Sequence, residues 1–292
     1  MEHKHDVVVG VDGSPESLAA VDWAAWDAAR RGRRLHILHA YAWPVVYPPL
    51  AAYRTPALDK VVRDAAETVV GAAVARARTV ASQLPITTAT PFEPAGAALV
   101  HASEWAGTVV VGNRGLGGFS GLLLGSVGVQ VATHAACPVV VVRPGDTTDA
   151  GEADRVVVGV DGSHDADRAM RFAFEQASFR GVGLTAVHTY IWPDATGPGD
   201  MLPLVYDTDD LLDDERRALA ESICGWADKY PDVDVRRRTV RGGAAMVLKR
   251  LSHGAELMVV GSRGMGGFTG LLLGSVSQAL LHHAACPVAV VR

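Results

Sequence analysis

The chain has 292 residues, 49% hydrophobic and 20% charged, a balance that argues against extended disorder and, at about 150 residues per domain, points to two globular domains. A formal net charge of −5 lacks the basic excess of a nucleic-acid-binding domain. The opening Met1-Glu-His-Lys-His-Asp6 does not read as a signal peptide, and no apolar run approaches the ~20 residues of a membrane span. Three scattered cysteines (Cys137, Cys224, Cys286) are too few for a disulfide framework or a zinc cluster. The expectation is a soluble, cytoplasmic protein with neither nucleic acid nor membrane as partner.

In chain order, Val7–Val11 is a short apolar run of the kind buried on both faces of a parallel sheet. Ser14-Pro15-Glu16 opens a helix, with Ser14 at the N-cap, Pro15 at the first helical position and an acid in the first turn. Leu18, Val21, Ala25 and Ala28 give it an apolar stripe, and the cations and glycine of residues 30–34 close it. Leu35–His39 reads as the second strand, and residues 43–57, rich in Pro, Tyr and Trp, as a long loop. The pattern then predicts a helix over 58–82, a strand over 86–90, a helix over 95–105, a strand over 108–112, a helix over 126–136 and a last strand over 139–142. Such alternation builds right-handed βαβ crossovers, hence a doubly wound, Rossmann-like α/β sheet.

This plan occurs twice. Residues 7–14 (VVVGVDGS) return as 156–163, and His134-Ala-Ala-Cys-Pro138 returns as His283-Ala-Ala-Cys-Pro287, each offset by 149 positions. Between 112–143 and 261–292, 22 of 32 positions are identical, so the chain is a tandem duplication. The small and polar residues of 144–154 read as a linker, which predicts domains over 1–146 and 154–292. The halves carry net charges of −1 and −4, so neither is a dedicated polyanion-binding arm.

The chemistry concentrates after the fourth strand of each half. Thr108–Val111 empties into Gly112-x-x-Gly115, and nine residues later Gly125-Ser126 starts the next helix. Open α/β sheets bind ligands at such carboxyl ends of strands. The glycines are expected to let the backbone approach a phosphate and adopt positive φ; where Gly112 and Gly261 use positive φ or sit against ribose, Gly112→Ala and Gly261→Ala would remove binding while the fold persists. Ser126 is expected to cap its helix, whose free N–H groups face an anion. Arg114 and Arg263 add positive charge, and the first strand ends in Asp12-Gly13-Ser14 beside the same crevice. The P-loop and dinucleotide fingerprints are both missing.

The pattern G-x2-G-x9-G-[ST], after a strand ending V-D-G-S, resembles the ATP-binding type of universal stress protein. Both halves carry it, with Gly112, Gly115, Gly125-Ser126 and Gly261, Gly264, Gly274-Ser275. The resemblance implies a five-stranded sheet ordered 3-2-1-4-5 in each half, flanked by helices, and ATP held by three segments. Asp12, Gly13 and Ser14 (Asp161, Gly162, Ser163) would lie near the adenosine. The residue after strand two, Ala40 (Thr189), would meet the adenine edge through its backbone. The glycine loop with Gly125, Ser126 and Val127 (Gly274, Ser275, Val276) would hold ribose and phosphates, with Mg2+ bridging the latter. His164 for Pro15, Ser262 for Asn113 and Thr189 for Ala40 are departures within the second half.

Several features have simpler readings. His134 and His283 suit helix C-termini, where a cation favours the dipole. Cys137 and Cys286 read as small core residues. Arg236-Arg-Arg238 reads as protection of an edge strand rather than an RNA patch. Asp207–Glu215 reads as an acidic loop and helix start. No catalytic constellation emerges. The expected function is therefore a regulatory ATP-binding protein of the stress response, with unnamed protein partners and a homodimeric assembly. The alternative is a slow ATPase or adenylyl-transfer enzyme on the same fold. The uncharged last strands, 138–142 and 287–291, are expected to pair with each other rather than remain bare edges.

Overall fold

The computed structural model describes residues 5–42, 56–117, 123–143, 152, 154–191, 208–265 and 272–292. The chain divides into two compact units, Met1–Pro144 and Gly145–Arg292.

In the first unit, β1 (Val7–Gly10) leads into α1 (Pro15–Arg30), β2 (Leu35–Leu38), α2 (Pro56–Val80), β3 (Ile86–Ala89), α3 (Ala95–Ser103), β4 (Thr108–Gly112), α4 (Ser126–His134) and β5 (Val139–Val142). The strands are parallel and ordered β3-β2-β1-β4-β5, the order the resemblance implies. The direction in which the connections cross the sheet therefore reverses between β1 and β4: those through β2 and β3 run one way, those through β4 and β5 the other. Most of the predicted Pro-rich loop, 43–55, lies outside the described residues. Its last two residues belong to α2, because Pro at a helix start loses no hydrogen bond.

Packing explains the rest. Val7, Val8, Val9, Val109 and Val110 are fully buried, as expected of strands covered on both faces. Ala20, Val21, Ala24, Ala25 and Ala28 of α1 are equally buried, and their small side chains bring the helix close to the sheet. Ser14 caps α1 by accepting from Ser17 N at 3.1 Å, with Pro15 behind it.

The second unit repeats the order with β6 (Arg155–Val160), α5 (His164–Arg180), β7 (Gly183–Tyr190), α6 (Thr208–Ile223), α7 (Trp226–Lys229), β8 (Val235–Arg241), α8 (Ala244–Leu251), β9 (Leu257–Gly261), α9 (Ser275–His283) and β10 (Val288–Val291). Its strands run β8-β7-β6-β9-β10, again parallel. Ser163 caps α5 through Ala166 N (3.2 Å), and Gly181, at φ +67, ends it. Gly225 at φ +81 separates the short α7 from α6, a break without counterpart in the long α2. The stretch expected as an acidic loop enters α6 by Thr208, and Asp207 lies outside the described residues. Arg236, Arg237 and Arg238 are all exposed on edge strand β8, and Arg238 also stands 2.9 Å from the buried Glu152.

Cys137 and Cys286 are buried and Cys224 is exposed. Burial pushes the Cys137 thiol up to about 12, so it forms almost no thiolate near neutrality. A thiol reagent at pH 8 is therefore expected to modify Cys224 quickly in the native chain and the other two cysteines only after unfolding. Three fast-reacting thiols in the native chain would contradict this packing.

Candidate functional site

Each unit holds a cleft at the reversal point of its sheet, above the carboxyl ends of the strands. The first, about 350 Å³, is lined by Asp12, Ala40, Gly112, Arg114, Gly115, Gly125, Ser126 and Val127, with Leu38, Leu99 and Val111 as apolar wall. The second, about 450 Å³, is lined by Asp161, Thr189, Gly261, Arg263, Gly264, Gly274, Ser275 and Val276, walled by Val187, Leu248 and Val260. Both volumes fall in the range of small-molecule sites. Sixteen of the twenty residues expected from the sequence thus come together, eight per cleft. Gly13, Ser14, Gly162 and Ser163 do not line the clefts; they shape the turn beneath.

That turn is organised by one carboxylate. Asp12 Oδ1 accepts from Ser14 N (3.0 Å) and Ser14 Oγ (2.6 Å), and Oδ2 accepts from Leu116 N (2.7 Å) in the glycine loop. Asp161 repeats this, with Oδ1 accepting from Ser163 N (3.0 Å) and Oδ2 from Met265 N (3.1 Å). Asp12 therefore ties two chain segments 104 residues apart, which a helix-capping role would not do. Burial by itself raises the Asp12 carboxyl, but the hydrogen bonds from Ser14, Leu116 and Ser17 outweigh it and hold the group below the usual carboxylate range.

The glycines serve this packing rather than positive φ. Among the described residues of the glycine loops none has positive φ; the left-handed glycines are Gly13 (φ +88) and Gly162 (φ +80) in the first turn. A Cβ on Gly115 would fall on Asp12 Oδ2, and one on Gly264 on Asp161 Oδ2. A Cβ on Gly112 would lie 2.8 Å from the Glu16 carbonyl, and one on Gly261 2.9 Å from Asp165 Cβ. This corrects the positive-φ ground for Gly112→Ala and Gly261→Ala. Alanine there would push against the first turn of α1 or α5 and disturb packing, so loss of ligand would not isolate a ligand contact.

Two further expectations change. Gly125 and Gly274 occupy the N-cap positions, and Ser126 and Ser275 are the first helical residues without a side-chain cap bond. Gly125 N instead donates to Asn113 O (2.8 Å), which fixes the start of α4 against the end of β4. Ser126 and Ser275, with the residues that follow them in the first turns of α4 and α9, line the clefts, and the first N–H groups of a helix lack partners within it. Thr189 lies within β7, in register with Val240, rather than after the strand; β7 is longer than β2, which ends before Ala40.

Sequence reasoning missed His39 and His188. His39 Nδ1 lies 2.7 Å from Val11 O and His188 Nδ1 2.9 Å from Val160 O, so each ring buttresses the strand end that carries the aspartate. Their 149-residue spacing was a legible signal. Leu99 and Leu248, the apolar walls, share it. Among the described residues no group of three or more His, Cys, Asp or Glu is placed to hold a metal ion, and no helix is long and apolar enough to cross a membrane.

A family model for universal stress proteins matches residues 4–143 and again 152–292. The chain belongs to the universal stress protein family. A universal stress protein of Mycolicibacterium smegmatis is 38% identical over 291 residues, covering 99% of this chain and 97% of the relative. One from Mycobacterium tuberculosis H37Rv is 40% identical over 304 residues, with 99% and 97% covered. Among solved structures, a universal stress protein from Archaeoglobus fulgidus superposes with a TM-score of 0.68 at 22% identity, covering 98% of this chain and 96% of that one, a likeness of fold.

The Asp12 clamp has a pH signature. Its pKa is lower folded than unfolded, so its stabilising contribution is complete above the unfolded value of about 4 and is lost as pH falls through the lower folded value. Unfolding of wild type and Asp12→Asn in denaturant is expected to show a stability gap at pH 6 that closes toward pH 2. A gap independent of pH would contradict the clamp.

Proposed function

We propose that this universal stress protein binds one adenine nucleotide in each unit, ATP with Mg2+ carried by its phosphates, and acts as a regulatory sensor whose occupancy is read by protein partners or by its own homo-oligomer. The observation that carries this reading is the repeated lining: the N-terminal residues of a helix, its first serine and an arginine border a largely apolar cleft, twice. N–H, O–H and guanidinium groups are donors, the set that suits phosphate oxygens. Leu38 and Leu99, or Val187 and Leu248, supply walls for a purine ring. Mg2+, when bound, would supply charge neutralisation on the phosphates.

Binding rather than efficient turnover fits the titratable groups in the lining, which are Asp12 and Arg114 in the first cleft and Asp161 and Arg263 in the second. Both oxygens of each aspartate already accept backbone N–H groups, which disfavours them as bases for an attacking water.

The test exploits the helix start. Glutamate at the first helical position favours the helix dipole but sets a carboxylate where the phosphates would lie. Ser126→Glu with Ser275→Glu is expected to weaken ATP binding by at least about tenfold with the unfolding midpoint unchanged or raised. Undiminished ATP affinity in the double variant would overturn the reading.

A further inference from the structure

The two clefts carry the same formal charges but pair them differently. Asp165, in the first turn of α5, accepts at Oδ2 from Ser262 Oγ (2.8 Å) and Arg263 N (3.2 Å), and the same oxygen stands 3.9 Å from Arg263 Nε. Its side chain is only 14% exposed, whereas that of Arg263, which lines the cleft, is 61% exposed. The cleft's cation is thus partly neutralised by a carboxylate that Ser262 and the loop backbone fix beside it.

The equivalent positions of the first unit are Glu16, Asn113 and Arg114. Asn113 Oδ1 is buried without a hydrogen-bond partner, and among the described residues no carboxylate lies within ion-pair distance of Arg114. The longer Glu16 side chain does not reproduce the Asp165 contacts. Its backbone holds the same place, packed on Gly112 as Asp165 is packed on Gly261.

Another cation stands near the second loop. Arg292, one residue past β10, donates to Leu272 O at 3.3 Å. Burial first, and then the neighbouring Arg263, lower its pKa, with Asp165 opposing. Arg143 holds the equivalent place after β5, so this cation is common to both units and the difference rests on positions 16/165 and 113/262.

We propose that the two clefts select different charge states of the same nucleotide class: the first, with Arg114 unrestrained, prefers a triphosphate, and the second, with Arg263 held by Asp165, prefers an adenine ligand with fewer phosphate charges. The inference rests on the nucleotide reading above. Asp165 acts as a positioning residue through Arg263. A paired guanidinium offers less net charge, and a fixed carboxylate opposes each added phosphate charge, so the penalty grows with ligand charge and is absent for adenosine.

The test titrates the full chain by calorimetry with ATP, AMP and adenosine, using Ser126→Glu to report on the second cleft and Ser275→Glu to report on the first. The ratio of ATP to AMP affinity is expected to be at least about threefold lower in the second cleft. Asp165→Asn, in the Ser126→Glu background, is expected to raise ATP affinity by about threefold or more and leave adenosine within about twofold. Asp165→Glu should move the ratio toward that of the first cleft. The reciprocal pair Glu16→Asp with Asn113→Ser, in the Ser275→Glu background, should lower the ratio there. It keeps the test decisive if Asp165 variants fold poorly.

Equal ATP-to-AMP ratios in the two clefts would overturn the proposal, as would an Asp165→Asn change that moves ATP and adenosine alike. Those results leave the nucleotide reading intact. Failure of the wild-type chain to bind ATP, AMP or adenosine would instead overturn the nucleotide reading itself, and this proposal with it.

Discussion

One carboxylate holds each candidate site together. Asp12 reaches from the end of β1 to Leu116 N in the glycine loop, and Asp161 reaches from β6 to Met265 N. Drawing a carboxylate even partly out of water is costly unless its oxygens are satisfied; Asp12 is half-buried and Asp161 exposed, and backbone N–H groups reach both oxygens of each. The glycine loop, which follows β4 rather than β1, is thereby drawn over the point where the sheet's connections reverse. Gly115 and Gly264 leave the space in which that carboxylate sits. Without the clamp the loop would lack its tie to the first turn, and the cleft would lose one wall.

The polar end of the cleft follows from the same packing. Gly112 lets the first turn of α1 press against the end of β4, and Gly125 N donates to Asn113 O, which sets the direction of α4. The unpaired N–H groups of that helix then point where α1 and the loop leave a gap. His39 steadies the Val11 carbonyl from the side of β2. Each contact is short, and each recurs 149 residues later. A duplicated sequence has therefore rebuilt the same cleft in each unit.

Much of this was legible before any coordinates. The apolar run at 7–11 marked a buried parallel strand because a sheet covered on both faces favours it, and Ser14-Pro15 marked the start of α1 because both residues suit a helix N-terminus. The motif spacing, together with what the family resemblance implies, named the sixteen residues that line the two clefts. What the sequence did not reveal was the direction in which each group works. The glycines looked like phosphate-facing, left-handed residues, but those of the loop make room for Asp12 and for α1. Ser126 looked like a cap, but the extended backbone at Gly125 (φ −75, ψ 154) takes that position and leaves the serine as the first helical residue. The asymmetry between Asp165 and Glu16 was also out of reach. A one-methylene difference gains meaning only when Ser262 and Arg263 are seen around it.

The central claim is that each repeat builds a nucleotide cleft of its own. Equilibrium dialysis of the full chain against saturating ATP with Mg2+ tests it most directly, because it counts ligands without regard to their effect. The account predicts two nucleotides per chain, with the second site filling at higher ATP concentration than the first. Saturation at one, or no uptake at all, would contradict it.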